Sequence, residues 1–277
     1  MSARTILITG CSSGIGYACA KGMKARGWRV FATARKPQDL QRLEAEGIEA
    51  FYLDYTDAAS VSACAVEVSK RTGGKLDALF NNGAYGQPGA VEDVRRDVLE
   101  AQFAANVFGW HQLTAACLPL MRSHGRGRIV HCSSLLGLVA LKWRGAYNAS
   151  KFAIEALADT LRLELRGSGI HVSLIEPGPI ASRFTEHALE AFNRNIDQMN
   201  SHYRDAYARQ RARLAQGRAN RFRLGPEAVL EKLIHAVESE RPRAHYFVTK
   251  PTSLMAAARR LLPQRLLDYF LNKVSDQ

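Results

Sequence analysis

The chain has 277 residues, 47% of them apolar and 23% charged, the make-up of an ordinary globular protein with length for one large α/β domain or two small ones. No run approaches the roughly 18 consecutive apolar residues of a membrane span, and no secretory leader precedes the strand-like "TILITG". The formal net charge is +12, with half of the excess in 201–223, where seven arginines face one aspartate; the stretch offers little beyond charge, so it reads as a solvated helix face and no nucleic-acid partner is expected.

Short β-rich runs alternate with longer amphipathic stretches from the start. After "ILIT" comes "TGCSSGIG" (9–16), where Gly10, Gly14 and Gly16 stand between a strand and a helix in the spacing G-x-x-x-G-x-G. Missing side chains there let the backbone turn tightly and approach a pyrophosphate at a helix start, with Ser12, Ser13 and Ile15 completing the loop. A plain tight turn would show the same glycines. "RVFATAR" follows. Where a carboxylate would take a ribose 2′-hydroxyl, Ala34 is followed by Arg35 and Lys36, cations suited to a 2′-phosphate; NADP(H) is therefore expected over NAD(H), with a surface pair as the plainer alternative. Asp54 ends "EAFYLD", positioned to accept from an adenine amino group or to cap a helix. "LDALFNN" closes on Asn81 and Asn82 before Gly83, amides able to hold the backbone open beside a cofactor.

Asn106 falls mid-helix in the next amphipathic stretch, where asparagine is a poor helix former and needs a purpose such as holding a water. Ser134 closes the strand "GRIVHCSS", and thirteen residues later Tyr147 and Lys151 stand four apart, a little over one helical turn. A phenol of pKa about 10 is drawn towards neutrality by a nearby ammonium. Singly, tyrosine and lysine at this spacing are packing and solvent. With a glycine loop, a strand-end serine and the asparagine in this order, they point to proton transfer at one site. The strands "HVSLIEPG" and "HYFVTK" complete seven. This alternation predicts a single α/β domain over 1–277, a doubly wound, parallel Rossmann-type sheet with helices on both faces. Residues 184–224 interrupt it with a polar helical insertion placed to cover a substrate cleft. An amphipathic helix over about 252–274 either meets a membrane surface or packs on its own domain or a partner subunit. Five cysteines without a C-x-x-C pair, and eight histidines without ligand spacing, suggest free thiols in a reducing cytoplasm and no metal.

Taken together, "TGCSSGIG", "NNGA", "FAANVFG", "IVHCSS", "YNASK" and "EPGPI", in this order over roughly residues 4–185, make the chain resemble the short-chain dehydrogenases/reductases of the compact single-domain branch. "GRGRIV", "RGAY", "SLIEPGPI", "LGPEAV" and "RRLLP" make it similar to the retinol and 17β-hydroxysteroid dehydrogenases and bacterial NADP-dependent aldehyde reductases among them. One departure is "NNGA", inverted from the family's usual order of the last two residues. The resemblance implies an oxidoreductase that interconverts a carbonyl and an alcohol, with Asn106, Ser134, Tyr147 and Lys151 as the catalytic tetrad. In it Tyr147 is the acid/base, Lys151 binds the ribose and lowers the tyrosine pKa, and Asn106 holds a relay water. It further implies Pro177, Gly178 and Ile180 around the nicotinamide, and a homodimer or homotetramer. Cleft candidates are Tyr85, Leu135, Leu136, Leu141, Trp143, Phe184, Leu189 and Phe192. Their apolar character favours a lipophilic aldehyde, retinoid-like or steroid-like substrate, although such residues also pack cores. The alternative is a non-catalytic NADP(H)-binding redox sensor of the same fold, which predicts loss of a tetrad residue; none is lost.

Overall fold

The computed structural model describes residues 3–215 and 222–275. All seven β-rich runs are strands: β1 (Thr5–Ile8), β2 (Arg29–Ala34), β3 (Glu49–Tyr52), β4 (Ala78–Asn81), β5 (Gly127–Cys132), β6 (Ile170–Glu176) and β7 (His245–Phe247). They form one parallel sheet in the order β3-β2-β1-β4-β5-β6-β7. Continuous apolar runs such as "TILI" are buried along their whole length because helices cover both faces. Parallel pairing brings every carboxyl end to one edge, and the strand order reverses beside β1, opening a crevice between β1 and β4.

The covering helices are α1 (Gly14–Ala25), α2 (Pro37–Ala45), α3 (Ala58–Thr72), α4 (Arg96–Phe103), α5 (Gly109–Arg122), α6 (Gly145–Glu164) and α9 (Glu227–Glu238), with α7 (Phe184–Asn195) and α8 (Arg204–Ala215) inserted after β6 and α10 (Lys250–Leu261) and α11 (Gln264–Ser275) closing the chain. Local sequence sets their ends: Asp57 accepts from the Ala59 N–H to start α3, and Gly73, at φ 61°, ends it. Phe31, Phe80, Met23, Trp110 and Leu113 are fully buried in the principal core.

Three expectations change. The stretch around Asn106 is not one regular helix; a five-residue π-helical segment, Ala104–Phe108, joins α4 to α5. The C-terminal helix expected over 252–274 is two, since Pro263 cannot continue the helix from Leu261 and instead precedes the start of α11. The insertion at 184–224 is the pair α7–α8, its residues 216–221 lying outside the described ones. In the arginine-rich stretch Arg204, Arg209 and Arg211 are exposed as expected, while Tyr207 of the same helix is buried.

Candidate active site

The glycine loop and the turn after β4 are built against each other. Gly10 has φ 69°, and a Cβ there would lie 2.5 Å from Gly83 Cα, so Gly10 tolerates no side chain. The Asn82 amide donates to the carbonyls of Thr9 (2.9 Å) and Gly10 (3.4 Å), while Thr9 Oγ1 accepts from the Asn82 and Gly83 N–H groups at 2.8 and 3.1 Å. Trp110 Nε1 donates to the Gly83 carbonyl at 2.8 Å, and the Tyr55 hydroxyl lies 2.6 Å from Asn81 Oδ1 and 2.9 Å from Thr9 Oγ1. Thr9, Tyr55 and Trp110 were not singled out in the sequence.

Ser13 precedes α1 in extended backbone without a side-chain cap, so the first N–H groups of the helix face the loop. With Ser12 and Ile15 half-buried around it, this cradle fits a dinucleotide pyrophosphate. Arg35 and Lys36 are exposed just past β2. Arg35 Nη1 lies 3.8 Å from Asp54 Oδ2, while Asp54 Oδ1 accepts from the Thr56 N–H and hydroxyl at 3.0 and 2.9 Å. The adjacent cap is Asp57, which removes the capping alternative for Asp54. Arg42 of α2 also reaches this region, donating to the Ser12 carbonyl at 2.6 Å. The segment after β6 closes the other side: the Pro177 carbonyl accepts from Leu135 N–H at 2.8 Å, Ser182 packs on Gly14, and Ile180 bridges to Leu224.

Ser134 lies past the carboxyl end of β5, where its Oγ accepts from Leu136 N–H at 3.1 Å and starts the 3₁₀ turn Leu135–Gly137. Tyr147 and Lys151 project from one face of α6, both buried. Lys151 Nζ donates to the Cys132 carbonyl at 2.7 Å and sits 4.4 Å from the Trp110 ring centroid and 5.7 Å from that of Tyr147. Burial pushes this ammonium down to about 8, with Cys132 and Glu155 pulling it up. Burial pushes the Tyr147 phenol up, and its hydrogen bond with Ser134 pulls the other way. The lowering expected from Lys151 is therefore not the dominant influence in the chain alone: desolvation is larger, and the ammonium is directed at a carbonyl.

Asn106 is fully buried, and its amide bonds to protein groups. Oδ1 accepts from Tyr85 N–H at 3.2 Å, and Nδ2 donates to the Tyr85 carbonyl at 2.9 Å and to Ser150 Oγ at 3.2 Å. Ser150 in turn donates to the Tyr147 carbonyl at 2.8 Å. The side chain thus ties the loop after β4 to α6.

On the substrate side, the Phe184 ring centroid lies 5.3 Å from that of Tyr147. Gly86, missed in the sequence, lies beside both, since a Cβ there would come 2.8 Å from Phe184 Cζ and 3.5 Å from Tyr147 Cδ2. Tyr85, Leu135, Leu136 and Leu141 are half-buried, and Leu189 is exposed on α7. Trp143 and Phe192 belong elsewhere. Trp143 packs edge-on against Tyr203 and Tyr207, Phe192 against Tyr207, in a satellite core with Ala90 and Ile196 that seats α7 and α8. An open cavity of about 590 Å³ beside the start of α1 is lined by Gly14, Tyr17, Lys21, Ser182 and Arg183, with none of the tetrad; the reacting groups place the chemistry at the strand ends instead.

Behind the tetrad lies a cluster that no motif announced. His245 Nδ1 is 2.6 Å from Glu176 Oε1 and 3.8 Å from Glu155 Oε2, and its Nε2 is 3.4 Å from Asp159 Oδ1. Glu155 and Asp159 continue the four-residue series of Tyr147 and Lys151 along α6, the one trace of the cluster in the sequence. Burial pushes Glu155 up to about 7, its neighbour Glu176 adding to the rise.

This sheet, with a glycine cradle and a serine, tyrosine and lysine at its carboxyl edge, defines a dinucleotide-dependent oxidoreductase. The family model for short chain dehydrogenases matches residues 4–192, and the chain belongs to that family. It is 45% identical over 268 residues to the oxidoreductase YbbO of Escherichia coli K12, covering 97% of this chain and 94% of that one. It is 32% identical to the NADPH-dependent 3-dehydrocapnine reductase of Ornithobacterium rhinotracheale, covering 98% and 96%, and 33% identical to rat 17-beta-hydroxysteroid dehydrogenase type 6, covering 96% and 87%. A crystal structure of a short-chain dehydrogenase from Streptomyces avermitilis matches with a TM-score of 0.81 at 30% identity, covering 99% of this chain and 98% of that one.

Proposed function

We propose that the protein interconverts a carbonyl and an alcohol on a lipophilic aldehyde or ketone, retinoid-like or steroid-like in character, with NADP(H) preferred over NAD(H). The observation that carries this reading is the convergence of Ser134, Tyr147 and Lys151 beside a glycine cradle with an uncapped helix start. Exposed Arg35 and Lys36 support the cofactor preference, as does the NADPH in the name of the 3-dehydrocapnine reductase relative. Apolar Phe184, Leu135 and Leu136 near Tyr147 and Ser134 support the substrate class, together with the hydroxysteroid relative. Five buried free cysteines support a reducing cytoplasm, and a homodimer or homotetramer is the expected assembly.

When bound, the nicotinamide supplies the hydride. The N–H groups at the start of α1 hold the pyrophosphate, and Arg35 and Lys36 pair with the 2′-phosphate. Asp54 accepts from the adenine amino group, while Asn82, Gly83, Pro177, Gly178 and Ile180 frame the nicotinamide. Ser134 and Tyr147 hold the substrate oxygen, and the Tyr147 hydroxyl gives it the proton. Lys151 binds the ribose hydroxyls and steadies the phenolate left behind. Lys151 passes protons towards a water held by Asn106, whose Oδ1 accepts one hydrogen bond from the protein and has a second lone pair to offer.

The test is NADPH oxidation against aldehydes, retinal and ketosteroids, with NADH and Tyr147→Phe alongside. Turnover should require NADPH and fall by roughly 10²–10⁴ in Tyr147→Phe, with NADPH binding kept. Tight NADPH binding without turnover on any carbonyl would instead indicate a redox sensor.

A further inference from the structure

Among the described residues eighteen large apolar side chains are exposed, and six of them fall between Leu254 and Val274. Leu254 (64% exposed) and Leu261 (80%) stand one above the other on α10, and Leu266, Tyr269 (62%), Phe270 and Val274 form a stripe at three- and four-residue spacing on α11. The opposite face of α10 is seated, with Thr252 and Ala256 buried and the Arg259 guanidinium 5.2 Å from the Phe152 ring centroid, and on α11 Leu267, at the margin of the stripe, is buried. The helices are thus docked on the domain while these six apolar side chains face outward. Cations flank that surface. On the outer side between 250 and 275 stand Lys250, Arg260, Arg265 and Lys273, all exposed, against the single acid Asp268.

The pair also borders the reaction site. The Thr249 and Thr252 hydroxyls pack against Gly178, α10 contacts the 3₁₀ turn Leu135–Gly137, and Ser275 at the end of α11 accepts from Lys142 N–H at 3.2 Å, in the loop that leads to Tyr147. No helix among the described residues is long and apolar enough to cross a membrane.

We propose that the outer face of α10 and α11 docks on an anionic lipid surface, holding the substrate cleft at the bilayer from which a lipophilic carbonyl would enter. Apolar side chains ringed by cations match an acyl boundary beneath negative headgroups. A second copy of the chain fits less well, because pairing two such faces would bring their flanking cations together. The orientation of the cleft rests on the proposed reductase activity; the docking itself does not.

Flotation of the full chain with phosphatidylcholine vesicles, with and without phosphatidylglycerol, tests it. Binding should require phosphatidylglycerol and weaken at high salt. It should fall roughly tenfold or more in Tyr269→Ser/Phe270→Ser and in Arg260→Glu/Arg265→Glu, with melting temperature and NADPH affinity unchanged. No binding to either vesicle, or binding indifferent to both double variants, would overturn it. A lower molecular mass in sedimentation for the Tyr269→Ser/Phe270→Ser protein would overturn it in favour of a second copy. Vesicle binding by a protein inactive on every carbonyl would leave the docking standing and remove the reductase.

Discussion

Arg35 and Lys151 are cations in opposite settings, and the setting decides what each can do. Lys151 is held in the interior by one carbonyl and an aromatic face, so its protonation is sensitive to every nearby charge. Arg35 stands in solvent with Asp54 at 3.8 Å, an ion pair worth little to stability. Its guanidinium is therefore available to a phosphate, where a charge-assisted hydrogen bond is worth about 1.5–3 kcal/mol. Arg35→Ala should raise the KM for NADPH by about tenfold or more and leave that for NADH and the melting temperature nearly unchanged. Steady-state kinetics with both cofactors decide it, and equal losses would remove Arg35 from the 2′-phosphate site.

The π-helical segment between α4 and α5 turns Asn106 inward onto the Tyr85 backbone and Ser150. Asn106→Ala would leave a buried N–H without its partner, which costs about 1–3 kcal/mol, and at about 2–4 °C per kcal/mol the melting point should fall by several degrees. Turnover should drop with it, because the loop beside Tyr147 loses its tie to α6. A calorimetric scan identical to wild type would show that this amide holds nothing together. The sequence made the seven strands legible because fully buried parallel strands leave continuous apolar runs. It made the proximity of Ser134, Tyr147 and Lys151 legible because strand ends and four-residue spacing are local properties. The π segment was not legible, since widening a helix by one residue needs no change in composition. Nor could apolar character alone separate Phe184, beside Tyr147, from Trp143 and Phe192, which build a satellite core. The rise in the Tyr147 pKa was hidden for a related reason: it comes from burial, which only the assembled fold decides.

For the whole molecule, the cluster behind the tetrad predicts how stability changes with pH. Glu155, with its folded pKa raised to about 7, keeps a proton that the unfolded chain releases above its ordinary 4.5, so this group makes the fold less stable as pH rises across that window. Glu176 is raised by burial and acts in the same direction. His245, raised chiefly by Glu176, contributes stability that is full below its ordinary 6.5 and is lost as pH rises through its folded value. Asp159 completes the ring of carboxylates. The melting temperature should therefore decline from pH 5 to 7.5. Glu155→Gln, which mimics the protonated acid, should flatten the decline and melt several degrees higher than wild type at pH 7.5. Parallel melting curves for the two proteins would refute this role. The mutual support of the Gly10 loop and the Asn82–Gly83 turn has a practical consequence at the same scale. The cradle proposed to grip a dinucleotide is one interlocked block, whereas Arg35 and Lys36, proposed to distinguish two dinucleotides, stand apart from it in solvent. With Arg35 and Lys36 in the proposed role, coenzyme choice becomes a detachable trait, open to retargeting by surface substitutions after β2 without re-engineering the cradle.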